Sequence, residues 1–224
     1  MLTRTFTTLT LAAALAVLLT LTGYYWPSLW LVYLFKPLAI LFLILVALTH
    51  WMFNRSSYAQ WIAVGLVFSF LGDVLLIWPG QYFLPGLAAF LLTHTAYLIA
   101  FTRDCRFPAR LSVWLAYILV AAAFYLVLFP TLPRGLRMPV LIYSALLATM
   151  AGQAMGSFFE LKTPFSLRAA AGALLFLLSD LLLAFDRFHR PLLYSTILIL
   201  TPYYLGQWLI ASSTSGPRPA TLPR

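Results

Sequence analysis

Charge is what this sequence most lacks: 8% of its 224 residues are charged, against 63% that are hydrophobic. A soluble domain carries roughly 25% charged residues on the surface that water must wet, so a water-filled setting is excluded. Acids are scarcest, with five Asp plus Glu against 14 Lys plus Arg and a net charge of +9. That excess does not describe a nucleic-acid binder, because the basic residues are scattered in short gaps between apolar runs and form no basic strip. The single cysteine, Cys105, excludes an internal disulfide and a cysteine metal cluster, and its charged surroundings suggest a free surface thiol. Also missing are a phosphate-cradling glycine loop, a zinc-protease helix motif and a Gly-x-Ser-x-Gly elbow. Nucleotide-driven transport and ordinary lipase chemistry are thereby disfavoured.

What is there is a succession of long apolar runs, at about 6–26, 28–53, 59–78, 82–102, 110–130, 136–159, 165–186 and 191–211. Each approaches the roughly 20 residues that a helix needs to cross a bilayer. Lipid offers the backbone no hydrogen-bond partner, and the runs lack the alternation of barrel strands, so helices are expected. The expected fold is an all-α polytopic bundle of about eight transmembrane helices. It forms one domain over 1–211, with 212–224, rich in Ser, Pro and Thr, expected to be a disordered tail. The first run reads as a span rather than a cleaved leader, since no small-x-small cleavage site closes it.

Basic residues set the orientation. With the N-terminus inside, the inner segments hold Arg4, Arg55, Arg103, Arg106, Arg110, Lys162, Arg168, Arg218 and Arg224, whereas the outer loops hold Arg134, Arg137, Arg187 and Arg190. Both termini are therefore expected to be cytoplasmic. Short loops and few lysines suggest a bacterial cytoplasmic (inner) membrane.

An offset of 107 residues superimposes Gly65 on Gly172, Asp73 on Asp180 and Tyr97 on Tyr204. It lays spans one to four over five to eight, and four is even, so the halves share an orientation: a parallel 4+4 internal repeat. Asp73 and Asp180 then lie at one depth, roughly 8–10 Å inside the outer boundary, with Lys36 roughly 12 Å below that face. Tyr143 is the repeat counterpart of Lys36.

An ionisable side chain in mid-membrane costs at least about 2.5–3.5 kcal/mol, so Lys36, Asp73 and Asp180 must face inward and find partners. Lys36 with either aspartate is the natural ion pair, and the other carboxyl, in a low dielectric, can hold a proton near neutral pH. A neutral carboxylic acid beside an ionised one is a usable acid and base. Structural glue between helices is the plainer role for these charges. His94 reads as a core histidine bonded to a carbonyl rather than a metal ligand. Tyr97, Tyr143, Tyr203 and Tyr204 are either interface anchors or site residues. Gln153 and Gln207 read as helix-to-helix bonders. Ser69 and Ser179 lie close to an aspartate, but no base is fixed beside either. Asp186 and Arg187 read as a solvated interface pair.

Taken together, Lys36-Pro37, Phe68-Ser69-x-x-Gly72-Asp73, Gly86-Leu87-x-x-Phe90-x-x-x-His94-x-x-Tyr97-x-x-x-Phe101, Gly172-Ala173-Leu174-x-Phe176-x-x-Ser179-Asp180 and Tyr203-Tyr204-x-x-Gln207 resemble the YhhN-like membrane proteins. That family includes the lysoplasmalogenases, and the likeness covers nearly the whole chain. Around 184–188 the family commonly has an Asn-containing variant where this chain has Asp186-Arg187-Phe188. The resemblance implies hydrolysis of the vinyl ether bond of a lysoplasmalogen, a lysophospholipid, to a fatty aldehyde and glycerophosphoethanolamine or glycerophosphocholine. Vinyl ethers are cleaved by protonation at carbon and capture of the cation by water, so an acid and a base suffice and no metal or organic cofactor is needed. Asp73 and Asp180 are the expected catalytic pair, with Lys36, Ser69, His94, Tyr97, Tyr143, Ser179, Tyr203, Tyr204 and Gln207 in support. The rival reading is a small proton-coupled transporter or carrier, which paired intramembrane charges and parallel repeats also build.

Overall fold

The computed structural model describes residues 2–26 and 28–216. Among them are eight α-helices: α1 (Leu2–Tyr25), α2 (Leu29–Asn54), α3 (Ser57–Leu75), α4 (Pro79–Asp104), α5 (Leu111–Leu128), α6 (Arg137–Leu161), α7 (Pro164–Phe188) and α8 (Ser195–Ser212). α1 to α7 are each long and apolar enough to cross a membrane. α8, 18 residues long, carries buried Tyr203, Tyr204 and Gln207. Leucines on the outer faces, such as Leu11, Leu15, Leu119 and Leu126, stay exposed, as hydrocarbon permits. The chain is a multi-pass membrane protein.

Turn chemistry explains the ends. α2 and α6 both stop at a basic residue in the left-handed conformation, Arg55 (φ 47) and Lys162 (φ 50), whose N–H groups bond back to Trp51 and Phe158. Positive charge at these C-termini also opposes the helix dipole. α7 starts on a capping box in which Thr163 Oγ1 accepts from Ser166 N at 3.1 Å, with Pro164 following. α8 starts later than the run from 191 suggests, because the Asp186 carboxylate caps Leu192 N–H at 2.7 Å and Tyr194 turns left-handed (φ 57).

Short links pack successive helices against one another within each half and from α6 to α7, whereas α4 and α5, among the described residues, do not touch; the halves interlock through α4 against α6 and α2 against α8. The two crossings correspond under the 107-residue offset, since α4 matches α8 and α2 matches α6. Glycines permit the closest approaches. A Cβ on Gly172 would lie 2.7 Å from Gly206 O, and one on Gly65 would strike the Tyr97 ring. Small residues that let backbones meet are the usual basis of helix packing in lipid.

The C-terminal segment departs from expectation at its start. Ser213–Ser215 form a 3-10 turn, and Ser212, Ser213 and Thr214 are buried. Tyr58 Oη meets Ser213 Oγ at 2.7 Å and His50 Nδ1 meets Thr214 Oγ1 at 2.7 Å. The rest of the expected tail, 217–224, lies outside the described residues. Cys105 is a second correction. It is 7% exposed, not a surface thiol. Gln153 holds its loop down, donating to the Cys105 and Arg106 carbonyls and accepting from Ala109 N at 2.9 Å.

Candidate active site

Glycine contacts and short links bring α3 and α7, which carry the two intramembrane aspartates, to one cavity of about 380 Å³. Asp73 and Asp180 both line it, as do Lys36, Tyr143, Ser179 and Tyr203. The carboxyls are not on opposite sides of the bundle. Apolar side chains, among them Phe90, Leu147, Leu181 and Leu200, supply much of the wall, and the cavity continues to Pro79, Asp186, Arg187 and Ser195 at the helix ends.

Each aspartate is faced from two directions. On Asp73, Lys36 Nζ of α2 lies 3.7 Å from Oδ1, and Tyr203 Oη of α8 donates to Oδ2 at 2.7 Å. On Asp180, Tyr143 Oη of α6 donates to Oδ2 at 2.5 Å, and His94 Nε2 of α4 lies 3.9 Å from the same oxygen. Lys36 and Tyr143, like the aspartates, are 107 residues apart. The offset therefore maps contacts as well as residues, while the chemistry differs: a cation stands by Asp73 and a phenol by Asp180.

Behind Asp73 runs a directed hydrogen-bond chain. Tyr97 Oη donates to Gln207 Oε1 at 2.6 Å, Gln207 Nε2 donates to Ser69 Oγ, and Ser69 Oγ lies 2.9 Å from Tyr203 Oη. Tyr203 spends its one hydrogen on Asp73, so Ser69 supplies the hydrogen between them. Every donor points toward the Asp73 carboxylate. Such chains polarise cooperatively in a low dielectric, and this one ends on Asp73 Oδ2 while Lys36 faces Oδ1.

Other expected residues take plainer places. Ser179 Oγ donates to Ile199 O at 2.8 Å, and Tyr204 Oη to Lys36 O at 3.4 Å. Ser69, Tyr97, Tyr204 and Gln207 stand behind the wall rather than on it. All four tyrosines make side-chain hydrogen bonds within the protein, so interface anchoring does not describe them. Neither His94 ring nitrogen has a hydrogen-bond partner, contrary to a histidine satisfied by a carbonyl. The ring is clamped edge-on by Tyr143 and Phe176, with centroids 5.0 and 4.9 Å away. Among the described residues, no three His, Cys, Asp or Glu side chains converge as a metal site would require.

Asp186 and Arg187 correct the reading as an interface pair. Asp186 caps Leu192, whereas Arg187 donates to Pro79 O at 3.2 Å and lies 4.0 Å over the Phe83 ring. Both line the cavity. Their adjacency in sequence suggested mutual pairing, and only the positions of Pro79 and Phe83 on α4 reveal another arrangement.

Fold and site define a polytopic membrane protein with two carboxyls, Asp73 and Asp180, on one internal cavity. The sequence model of the YhhN family matches residues 31–214, and the chain belongs to the YhhN family. Lysoplasmalogenase TMEM86A of Bos taurus is 37% identical over 191 residues, covering 82% of this chain and 78% of the relative. Lysoplasmalogenase TMEM86B of Homo sapiens is 35% identical, covering 76% and 71%. Membrane protein YhhN of Escherichia coli O157:H7 is 28% identical, covering 91% and 96%. No solved structure matches the chain.

Proposed function

We propose that this protein is a lysoplasmalogenase of the bacterial cytoplasmic membrane, with Asp180 as proton donor and Asp73 as the partner carboxylate. The observation that carries the reading is two carboxyls on one largely apolar cavity, one beside Lys36 and the other, among the described residues, with no lysine or arginine nitrogen within ion-pair range. The names of the relatives supply the substrate class. With both termini cytoplasmic, the cavity mouth faces outward.

A balanced cycle needs these two groups and water. Neutral Asp180 gives its proton to the vinyl carbon remote from oxygen, and the positive charge spreads over the adjacent carbon and the ether oxygen. Water adds to that carbon and loses a proton to Asp73, giving a hemiacetal. Asp180, now ionised, takes the hemiacetal hydroxyl proton as Asp73 returns its own to the departing glycerol oxygen. Fatty aldehyde and glycerophosphoethanolamine or glycerophosphocholine leave, and both carboxyls regain their starting forms. Coupled carboxyls titrate as a pair, so the assignment describes the resting state.

The test is purified protein incubated with lysoplasmenylethanolamine in D₂O. Fatty aldehyde carrying one deuterium on the carbon next to the carbonyl is expected. Proteoliposomes that accumulate a solute while no aldehyde forms would replace the enzyme by the proton-coupled carrier.

A further inference from the structure

Where the two charges at the cavity mouth, Asp186 and Arg187, would act is set by helix geometry. Seven residues are almost two turns, so Asp180 and Arg187 lie on one stripe of α7, about 10 Å apart along its axis. Leu183 and Ala184, between them on that stripe, also line the cavity. The guanidinium is pinned above Phe83 at 4.0 Å and bonds Pro79 O at 3.2 Å, which uses one of its five N–H donors. It is held in place yet keeps donors for a ligand.

On the lysoplasmalogenase reading, we infer that Arg187 binds the phosphodiester of the substrate head group, with Asp186 beside it for the ammonium. A planar guanidinium matches phosphate oxygens in pairs, which a lysine cannot do. The lipid fits the spacing. Seven bonds separate the protonated vinyl carbon from phosphorus, and an extended chain covers about 3.5 Å per three bonds, so the span is about 8 Å. A vinyl group at Asp180 thus sets its phosphate within reach of Arg187, and the rest of the alkenyl chain follows the apolar wall.

The experiment compares lysoplasmenylethanolamine with the phosphate-free alkenylglycerol by kcat/KM. The wild-type preference for the phosphate-bearing lipid should fall at least tenfold in Arg187→Gln, mainly through KM, and return in part in Arg187→Lys. An unchanged preference in Arg187→Gln overturns the inference. Should wild type release no aldehyde from either lipid, the enzyme reading fails separately, and binding decides this one. The saturated-ether lysophospholipid should bind wild type at least tenfold more tightly than Arg187→Gln in calorimetry, with Arg187→Lys between them, and equal affinities of wild type and Arg187→Gln refute the head-group site. Inorganic phosphate that displaces this lipid at matching concentrations assigns the residue to a free anion instead and overturns the proposal.

Discussion

Tyr203 on α8 donates to Asp73 on α3 at 2.7 Å, so a side chain of the second half of the chain completes the carboxylate site of the first. His94 of α4 faces Asp180 of α7 in the reverse sense, at 3.9 Å. Each aspartate is thus held by a helix of its own half and inspected by one from the other. A site built this way forms only when both halves pack.

Asp73→Asn and Asp180→Asn should each lower aldehyde release by about 10²–10⁴, the usual range for removing a general acid or base. Both variants should still insert into membranes at wild-type levels. Full activity in both would remove the acid and base assignment.

Lys36→Met leaves the Asp73 carboxylate buried without its cation, a change that costs about 3–5 kcal/mol when a buried pair is broken. The double variant Lys36→Met with Asp73→Asn should recover much of that loss. Denaturant unfolding in detergent measures both.

Tyr203→Phe removes the last donor of the chain that ends on Asp73. Aldehyde turnover should fall about 10- to 150-fold, in line with the roughly 1.5–3 kcal/mol of a hydrogen bond to a charged group. Tyr97→Phe, at the far end of the chain, should have a smaller effect in the same assay.

Much of this was legible in the sequence, for identifiable reasons. Mid-membrane charge is costly enough that Lys36, Asp73 and Asp180 had to be internal, and the 107-residue offset pointed to Tyr143. The facing of α5 was not legible, because its lipid side and its protein side are equally apolar; Ala121 and Leu128 are its buried positions. The chain through Gln207 was also hidden, since it requires Gly65 to admit the Tyr97 ring. The deceptive case was Cys105, where neighbouring charges suggested exposure and Gln153, 48 residues away, holds the loop shut.

That loop gives a pH-dependent prediction. Burial pushes the Cys105 thiol above its ordinary value, and the Asp104 and Glu160 carboxylates add to that effect. The thiolate is the reactive form, so little is present at neutral pH. Maleimide should label the native protein much more slowly than the unfolded chain at pH 7, and the native rate should rise on going to alkaline pH. Equal rates would show the loop to be open.

Gly172→Val forces a branched side chain toward Gly206 O and Ile210. Overpacking typically costs about 1–3 kcal/mol, so the midpoint of detergent unfolding should fall. Aldehyde release should fall with it, because α7 carries Asp180 and α8 carries Tyr203.

The 3-10 turn at Ser213–Ser215 has a practical consequence for handling the protein. Its hydroxyls serve as the polar partners of His50 and Tyr58, so the turn works as a latch on the bundle rather than a handle. An affinity tag or fluorescent reporter spliced in at Ser212 would break the His50–Thr214 and Tyr58–Ser213 contacts, whereas one joined beyond Gly216 leaves the latch closed.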